Sequence, residues 1–288
     1  MPHGGKGTRK ANKRTPSEDQ TVEKVNAHAV ATIRGWHDGE FRTESLTRLD
    51  RWKLQASDSI TVHAGHVDVE LGQDPHSDLL GGYVWLSSIV FCSYLAQIAS
   101  RPSKSDLIKV ENGSVWLELG AGVGLIGLLL AKLGVGQVVI TDVRELVQTM
   151  QQNVEANGFS NEEGSAILAR ELFWGNQDQI NRLKEQYETF DYIVACDCIY
   201  SEASASALAQ TMWMLASTKT TIIVLTELRN KGAQDAFIKE AEPLLYIETI
   251  QPSRWQSKID QDIEFEEDLV IYKCTRRESS KERSRKRS

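Results

Sequence analysis

A glycine-rich turn, Gly120-Ala121-Gly122-Val123-Gly124, joins a predicted strand to a predicted helix. Glycine has no Cβ and tolerates positive φ, so the backbone of such a turn can approach a ligand closely. The first turn of the following helix adds unpaired N–H groups and the positive end of a dipole. The spacing G-x-G-x-G differs from the dinucleotide fingerprint G-x-G-x-x-G. The turn therefore predicts a ligand site that does not require a dinucleotide.

Acidic and aromatic residues follow the neighbouring predicted strands. Asp142 ends the next strand, about 20 residues after the glycines, where an acidic residue can bind ribose hydroxyls. Trp174 and Asp197 come just after two later strands. Because ligands of such sheets bind at the carboxyl ends of the strands, we expect these side chains to surround one ligand. Together with the glycine turn, they predict a nucleoside cofactor.

Strands and helices alternate after residue 114, which indicates βαβ units and a parallel sheet. The predicted strands are 115–119, 137–141, 166–172, 192–195, 221–226, 244–250 and 267–273. The predicted helices are 125–133, 146–157, 177–187, 203–215 and 233–241. No long helix separates the last two strands, so they must be antiparallel to each other. The predicted fold is a doubly wound, Rossmann-like α/β fold whose seven-stranded sheet is mostly parallel, with an antiparallel C-terminal strand pair.

A short N-terminal extension, residues 46–110, precedes this domain of residues 111–275. Alternating apolar residues between 60 and 71 predict a hairpin, and the apolar run 85–98 predicts a helix. We expect residues 1–45 and 276–288 to be disordered tails, because they are polar or basic and offer little for a core.

Charge is distributed unevenly along the 288 residues, which are otherwise typical of a globular protein, with 41% hydrophobic and 25% charged residues. Residues 1–14 and 276–288 each carry +5, so a net charge of −7 leaves −17 on residues 15–275. An acidic body suits a basic substrate. Two interpretations of the basic run 283–287 stay open: a nuclear-import or nucleic-acid-binding patch, and a solvated charged end.

The four cysteines are expected to be free thiols in a reducing compartment. Cys196-x-Cys198 lacks the C-x-x-C spacing of metal sites, and we predict no metal. We expect no membrane span, because no run of 18 apolar residues occurs, and no secretory signal in residues 1–14. The expected location is the cytoplasm, the nucleus or both.

Several further motifs, in chain order, resemble those of the seven-strand S-adenosylmethionine-dependent methyltransferases. Within them the chain is similar to methyltransferase family 16, whose characterised members are mostly protein lysine methyltransferases. The matching pieces are Val84-Trp85, 118–127, Thr141-Asp142, Asn153 with Asn157, Leu172-Phe173-Trp174, 191–200 and, more weakly, 226–229 with Phe237. The resemblance covers about residues 80–275. It implies S-adenosylmethionine as cofactor, residues 111–275 as its binding domain, and a protein with a target lysine as partner. We expect a monomer.

The resemblance also implies roles for five residues of the cofactor site. Asp142 would bind the ribose hydroxyls and Trp174 would lie against the adenine. Trp85 would line the pocket, with plain core packing as the alternative. Cys196 has a small side chain that lets the backbone lie near the adenosine. Glu118 would bind either the glycine turn or the amino group of the cofactor. The glycine turn itself would hold the methionine end through Gly120, Ala121, Gly122 and Gly124.

Asp197 and Tyr200 are the predicted catalytic residues that face the methyl acceptor. Enzymes of related fold that methylate base amino groups have Asp/Asn-Pro-Pro-Tyr at this position, whereas this chain has Asp-Cys-Ile-Tyr. A lysine ammonium could be bound by the Asp197 carboxylate and by the ring of Tyr200, a cation–π contact worth about 0.5–2 kcal/mol. The sequence therefore predicts a protein-lysine N-methyltransferase. The alternatives are an arginine or small-molecule methyltransferase and a non-catalytic cofactor-binding protein.

Overall fold

Four antiparallel strands form an N-terminal sheet in this computed structural model, which describes residues 29–37, 39–263, 265 and 268–278. The strands are β1 (Ala31–His37), β2 (Glu40–Leu46), β3 (Ser59–Ala64) and β4 (Val67–Gly72). Their order in the sheet is β2-β1-β3-β4, and the short helix α1 (Arg51–Gln55) connects β2 to β3. The hairpin that the sequence predicted between residues 60 and 71 corresponds to β3 and β4.

Strands β1 and β2 correct the prediction of a disordered tail that extends to residue 45. Ala31 and Ile33 are fully buried, whereas Trp36 and Phe41 lie on the outer face with their rings 5.9 Å apart. Because these aromatic residues are exposed, the sequence does not show the alternation of apolar and polar residues that is typical of a strand with one buried face. The dipeptide Asp38-Gly39, a common hairpin turn, is the sequence signal that could have revealed it. Residues 1–28 of the predicted tail lie outside the described residues.

The central sheet has seven strands, and helices cover both of its faces. The strands are β5 (Val115–Leu119), β6 (Gln137–Asp142), β7 (Ile167–Glu171), β8 (Tyr192–Cys196), β9 (Thr221–Glu227), β10 (Leu245–Ile250) and β11 (Leu269–Arg276). The helices are α2 (Leu86–Ser100), α3 (Leu125–Lys132), α4 (Arg144–Ala156), α5 (Gln177–Gln186), α6 (Glu202–Leu215) and α7 (Lys231–Ala241).

The strand order β10-β11-β9-β8-β5-β6-β7 confirms the predicted doubly wound α/β fold. Strands β5 to β9 pair in parallel, while β11 is antiparallel to both β9 and β10. The predicted antiparallel C-terminal pair is therefore confirmed, and β11 alone runs against the other six strands. The order reverses between β5 and β8, and ligands bind outside the carboxyl ends of the strands at such a switch point.

Two hydrophobic cores hold the helices against the sheet. In β6, for example, Val138 and Ile140 point into the core that contains α2, α3 and α4, whereas Val139 points into the core of α5, α6 and α7. Alternate residues of each strand thus bury opposite faces. The carboxyl ends of the strands remain between the two layers, where the glycine turn and the acidic residues lie.

The C-terminal boundary also differs from the prediction, because β11 extends to Arg276. The guanidinium of Arg276 lies 4.7 Å from the ring centre of Trp213, and that of Arg277 lies 3.9 Å from the ring centre of Tyr246. The predicted basic tail 276–288 therefore begins with two residues that belong to the folded domain. Residues 279–288 lie outside the described residues.

Candidate active site

A cavity of about 750 Å³ opens at the carboxyl ends of β5, β6, β8 and β9. It brings together every predicted site residue except Gly124. Those residues are Trp85, Glu118, Gly120, Ala121, Gly122, Asp142, Trp174, Cys196, Asp197 and Tyr200. Gly124 does not line the cavity and forms the N-terminal cap of α3.

The glycine turn is shaped by its own backbone and by its protein neighbours. Gly120, Gly122 and Gly124 have φ values of 66°, 57° and 90°, which L-residues with side chains rarely adopt. A Cβ on Gly120 would also lie 2.6 Å from the sulfur of Cys198 and 3.0 Å from the ring of Trp174. The turn therefore packs directly against Trp174, and the two form one continuous wall of the cavity.

Asp142, the last residue of β6, ties the glycine turn to the sheet. Its Oδ2 accepts a hydrogen bond from the backbone N–H of Gly122 at 2.7 Å, and its Oδ1 accepts one from Val143 at 2.7 Å. A carboxylate accepts about four hydrogen bonds, so two acceptor positions are left for a ligand. Burial raises the pKa of Asp142, and the two backbone N–H groups partly offset that rise.

Glu118 is buried and bonds the first turn of α3, the helix that follows the glycine turn. Its side chain is 3% exposed and accepts a hydrogen bond from the N–H of Gly127, in the first turn of α3, at 2.9 Å. Burial raises the pKa of Glu118 to about 8, with a smaller contribution from the charge of Asp142. The bond to Gly127 joins Glu118 to α3, and its two predicted roles, at the glycine turn and at the amino group of the cofactor, stay predictions. At neutral pH the carboxyl group is mostly protonated.

Aromatic rings line the cavity on two sides. The rings of Trp174 and Tyr200 lie 6.2 Å apart, next to the glycine turn. On the other side, Trp85 caps the start of α2, and its Nε1 donates to the carbonyl of Leu80 at 2.8 Å. Trp85 is half-buried and lines the cavity, and its contact with the cofactor stays a prediction.

The two cysteines at this end of β8 are buried thiols. Cys196 lies 3.5 Å from the hydroxyl of Ser87, and Cys198 donates to the carbonyl of Leu119 at 3.2 Å. Burial raises the pKa of both groups, so neither is a thiolate at neutral pH. Within the described residues, no cluster of three or more His, Cys, Asp or Glu could bind a metal ion.

Asp197 has a strained backbone conformation, and its carboxylate accepts several hydrogen bonds. It is the one non-glycine residue with positive φ, 53°, in the described part of the chain. Its Oδ2 accepts hydrogen bonds from Ser87 Oγ at 2.6 Å and Arg229 Nη2 at 2.8 Å, and its Oδ1 accepts one from the N–H of Glu227. Such strain persists where the surroundings determine the backbone, which often occurs at functional sites.

An alternating chain of charges extends from Asp197 to the N-terminal region. Arg229 pairs with Asp197 at 2.8 Å and with Glu227 at 3.0 Å, and Arg51 pairs with Glu227 at 2.9 Å. No site role was predicted from the sequence for Ser87, Arg51 or Arg229. Arg51 is separated by 176 residues from Glu227, and Ser87 by 110 residues from Asp197. The signal that was present is the acidic-basic pair Glu227 and Arg229 at the carboxyl end of a buried strand.

Residues 66–243, more than half of the chain, match the sequence model of a protein family described as lysine methyltransferase. The chain belongs to this lysine methyltransferase family. The predicted methyltransferase family is thereby confirmed, and with it the predicted lysine-methylating activity and the cofactor S-adenosylmethionine.

Curated relatives of this lysine methyltransferase agree with the family model. Protein N-lysine methyltransferase METTL21A of Xenopus tropicalis is 32% identical over 168 residues, which cover 58% of this chain and 70% of that protein. EEF1A lysine methyltransferase 3 of the same species is 27% identical, with coverage of 67% and 74%. Protein-lysine N-methyltransferase EFM6 of Saccharomyces cerevisiae is 28% identical, with coverage of 52% and 68%.

Among solved structures, SMU.776 complexed with SAH superposes on this lysine methyltransferase with a TM-score of 0.51 and 11% identity. The match covers 81% of this chain and 58% of the other, so this chain spans less than two thirds of that protein. At this identity the likeness supports the fold alone, in agreement with the strand order of the central sheet.

The cavity fits the cofactor of the family. Its volume of about 750 Å³ lies in the range of small-molecule sites. The two acceptor positions left on Asp142 would bind the ribose hydroxyls, and the ring of Trp174 would stack on the adenine. The backbone of the glycine turn would bind the methionine end of the cofactor. When bound, S-adenosylmethionine supplies an electrophilic methyl group on a sulfonium.

Proposed function

We propose that this lysine methyltransferase binds the acceptor lysine of a protein at Asp197 and Tyr200, in the same cavity in which Asp142 and Trp174 would bind the adenosine. One observation carries the proposal: the carboxylates of Asp142 and Asp197 line the same cavity from the ends of two different strands. Four acidic residues besides the buried Glu118 line that cavity, against the single guanidinium of Arg229. A site with this charge attracts a cationic side chain.

The acceptor nitrogen must be neutral to attack, and free lysine has a pKa of about 10.4. The positive charge of the sulfonium and partial burial lower that pKa in the complex. Once the lysine has lost a proton to solvent, its nitrogen would form a bond to the methyl carbon as the carbon–sulfur bond breaks. The product would form directly as a methylammonium, and the sulfur would leave as the neutral thioether of S-adenosylhomocysteine. In this scheme Asp197 stabilises that ammonium and orients the nitrogen, which contributes more to the rate than proton abstraction by Asp197 would.

Apolar side chains around the cavity support a protein acceptor. Leu80, Phe173 and Tyr200 line the cavity and are 46%, 62% and 48% exposed. Exposed apolar groups beside a site are typical of surfaces that bind another protein. The curated relatives are named as methyltransferases of protein lysines, which agrees with this acceptor class.

Labelling of a cell lysate tests the proposed acceptor. We expect the purified protein, given S-adenosylmethionine with an isotope-labelled methyl group, to label lysine residues of one or a few proteins, identified by mass spectrometry. The Asp197→Asn variant is expected to lose most of this labelling while it binds S-adenosylhomocysteine as the parent does. Labelled arginine or a labelled metabolite would show that the acceptor assignment is wrong.

We also propose that the protein works as a monomer in the cytoplasm, the nucleus or both. Within the described residues, no helix combines the length and apolar character needed to cross a membrane. The basic run 283–287 supports nuclear import. Deletion of residues 279–288 tests it: a tagged protein with an unchanged nuclear fraction would show that this run is not an import signal. Loss of RNA or DNA binding with unchanged import would instead support the nucleic-acid interpretation.

A further inference from the structure

We propose that Arg229 is an internal competitor of the acceptor lysine: its guanidinium occupies the cation site that the lysine ammonium must enter. The proposal rests on the proposed acceptor role of Asp197. It adds a residue that sets how tightly the acceptor binds, and it predicts that removal of Arg229 strengthens that binding.

Two carboxylates and one aromatic face form the cation site. The guanidinium of Arg229 contacts Asp197 at 2.8 Å and Glu227 at 3.0 Å, and its central carbon lies 4.6 Å from the ring centre of Trp85. A carboxylate and an aromatic face are also the groups that bind an alkylammonium ion. The chain thus presents a cation of its own at the place where the proposed substrate brings another.

The solvent exposure of the three charged side chains favours replacement of the Arg229 guanidinium by a lysine ammonium. The side chains of Asp197 and Glu227 are 8% and 16% exposed, whereas that of Arg229 is 34% exposed. The guanidinium can therefore move into solvent while the carboxylates stay in place. The adjacent backbone need not move, because Asn230 caps α7 through its bond to Ala233 and the N–H of Arg229 donates to the carbonyl of Glu227.

Arg51 lowers the energetic cost of this exchange. It contacts both carboxylate oxygens of Glu227, at 2.9 and 3.2 Å, from the opposite side of the network. When Arg229 leaves, Glu227 keeps one ion pair, and Ser87 and the N–H of Glu227 still donate to Asp197. Neither carboxylate is left without a partner, a state that would cost several kcal/mol for a buried charge.

A different role for Arg229 predicts the opposite result. If Arg229 positions Asp197, its removal weakens acceptor binding, because the carboxylate loses a partner that orients it. If only the total charge of the cavity matters, removal of Arg51 and removal of Arg229 strengthen binding equally. Arg51 is a matched control, since it pairs with Glu227 but makes no contact with Asp197 among the described ion pairs.

The experiment measures binding of Nα-acetyl-L-lysine methylamide, a cation at pH 7.5, to the full chain saturated with S-adenosylhomocysteine, by saturation-transfer NMR titration. We expect Arg229→Ala to bind the probe about fivefold more tightly than the parent, as expected when an ion pair of about 1 kcal/mol no longer competes. Arg51→Ala should bind the probe no more tightly than the parent, because it removes the partner that Glu227 keeps when Arg229 leaves.

Thermal unfolding and calorimetry with S-adenosylhomocysteine verify that each variant is folded. Arg229→Gln, which keeps a polar side chain, replaces Arg229→Ala if the alanine variant is unstable. Weaker or unchanged probe binding, no binding to any variant, or an equal gain in Arg51→Ala would overturn the proposal. The acceptor class is judged separately from lysate labelling by the parent protein, so failure of the two ideas can be distinguished.

Discussion

Asp142 accepts a backbone N–H with each carboxylate oxygen, and the residue also lines the cavity. We expect Asp142→Ala to weaken the binding of S-adenosylmethionine at least about tenfold, since hydrogen bonds to a charged group contribute about 1.5–3 kcal/mol. Isothermal titration calorimetry measures this change.

Asp78→Ala is the matched control for Asp142→Ala, because it removes another carboxylate that lines the same cavity. We expect it to change cofactor affinity less than about threefold, as an exposed charge acts through solvent. Equal losses in the two variants would mean that total charge, not the position of Asp142, determines affinity. An unaffected Asp142→Ala variant would rule out the ribose assignment.

Glu118 makes stability depend on pH. Burial raises its pKa from 4.5 to about 8, so between these values the folded state binds a proton that the unfolded state has lost. Stability from this group is therefore lost as pH rises through that window, by up to about 1.4 kcal/mol per pH unit. Glu118→Gln, which resembles the protonated form, should remove this dependence. Urea unfolding at pH 5.5, 6.5 and 7.5 measures this pH dependence of the unfolding free energy. The same pH dependence in the parent and in Glu118→Gln would contradict the prediction.

The site was predictable wherever a residue follows a strand of the parallel sheet. Asp142, Trp174 and Asp197 could be placed together because the carboxyl ends of parallel strands share one edge. The partners of Asp197 could not be predicted, since Ser87 is 110 residues away and Arg229 is 32 residues away, in the segment after β9. Local patterns carry no information about such distant side-chain contacts.

At the scale of elements, Asn153 of α4 and Asn157, which caps the C-terminus of α4, join the N-terminal sheet to the methyltransferase domain. Asn153 is 2% exposed and makes three hydrogen bonds, two with the backbone of Gly72 and one with the carbonyl of Val123. The Asn153→Ala variant should lose about 3 kcal/mol of unfolding free energy, because it leaves buried backbone groups without partners. Chemical denaturation followed by circular dichroism gives the value.

Asn157 provides the comparison for Asn153, because it bonds the N–H and carbonyl of Glu70 in the same way but is only half-buried. Water can replace its bonds, so Asn157→Ala should cost about 1 kcal/mol. Since Val123 belongs to the glycine turn, only Asn153→Ala should also weaken cofactor binding. Equal losses of stability would show that burial does not separate the two positions.

The fold was predictable where the hydrophobic period was clear. The predicted strands and helices after residue 114 differ from the observed ones by three residues or fewer at each end, because buried parallel strands read as continuous apolar runs. Strand β2 was not predicted, since most of its residues are exposed and polar. An edge strand of this kind is held by pairing with β1, which its own composition does not reveal.

At the scale of the whole molecule, the acidic domain ends in basic residues that belong partly to the fold and partly to the segment beyond it. Residues 276 and 277 lie on the domain, with Arg276 over Trp213, Arg277 over Tyr246, and the N–H of Arg277 bonded to the carbonyl of Leu244. The two groups of basic residues should therefore contribute differently to stability and to cellular location.

Two nested deletions separate these contributions. Deletion of 279–288 should leave the free energy of unfolding within about 0.5 kcal/mol of the parent, as for surface changes away from packed features. Deletion of 276–288 should lower it by about 2 kcal/mol, because it removes two cation–π contacts and backbone bonds that join β10 to the end of the chain. Urea unfolding of both proteins gives the comparison. Equal stability of the two deletion variants would mean that Arg276 and Arg277 do not hold the end of β11.

The stability result also decides which deletion can test nuclear import. If only the 276–288 deletion is destabilised, a lower nuclear fraction of that variant could reflect loss of folded protein, so the 279–288 deletion is the one that tests import.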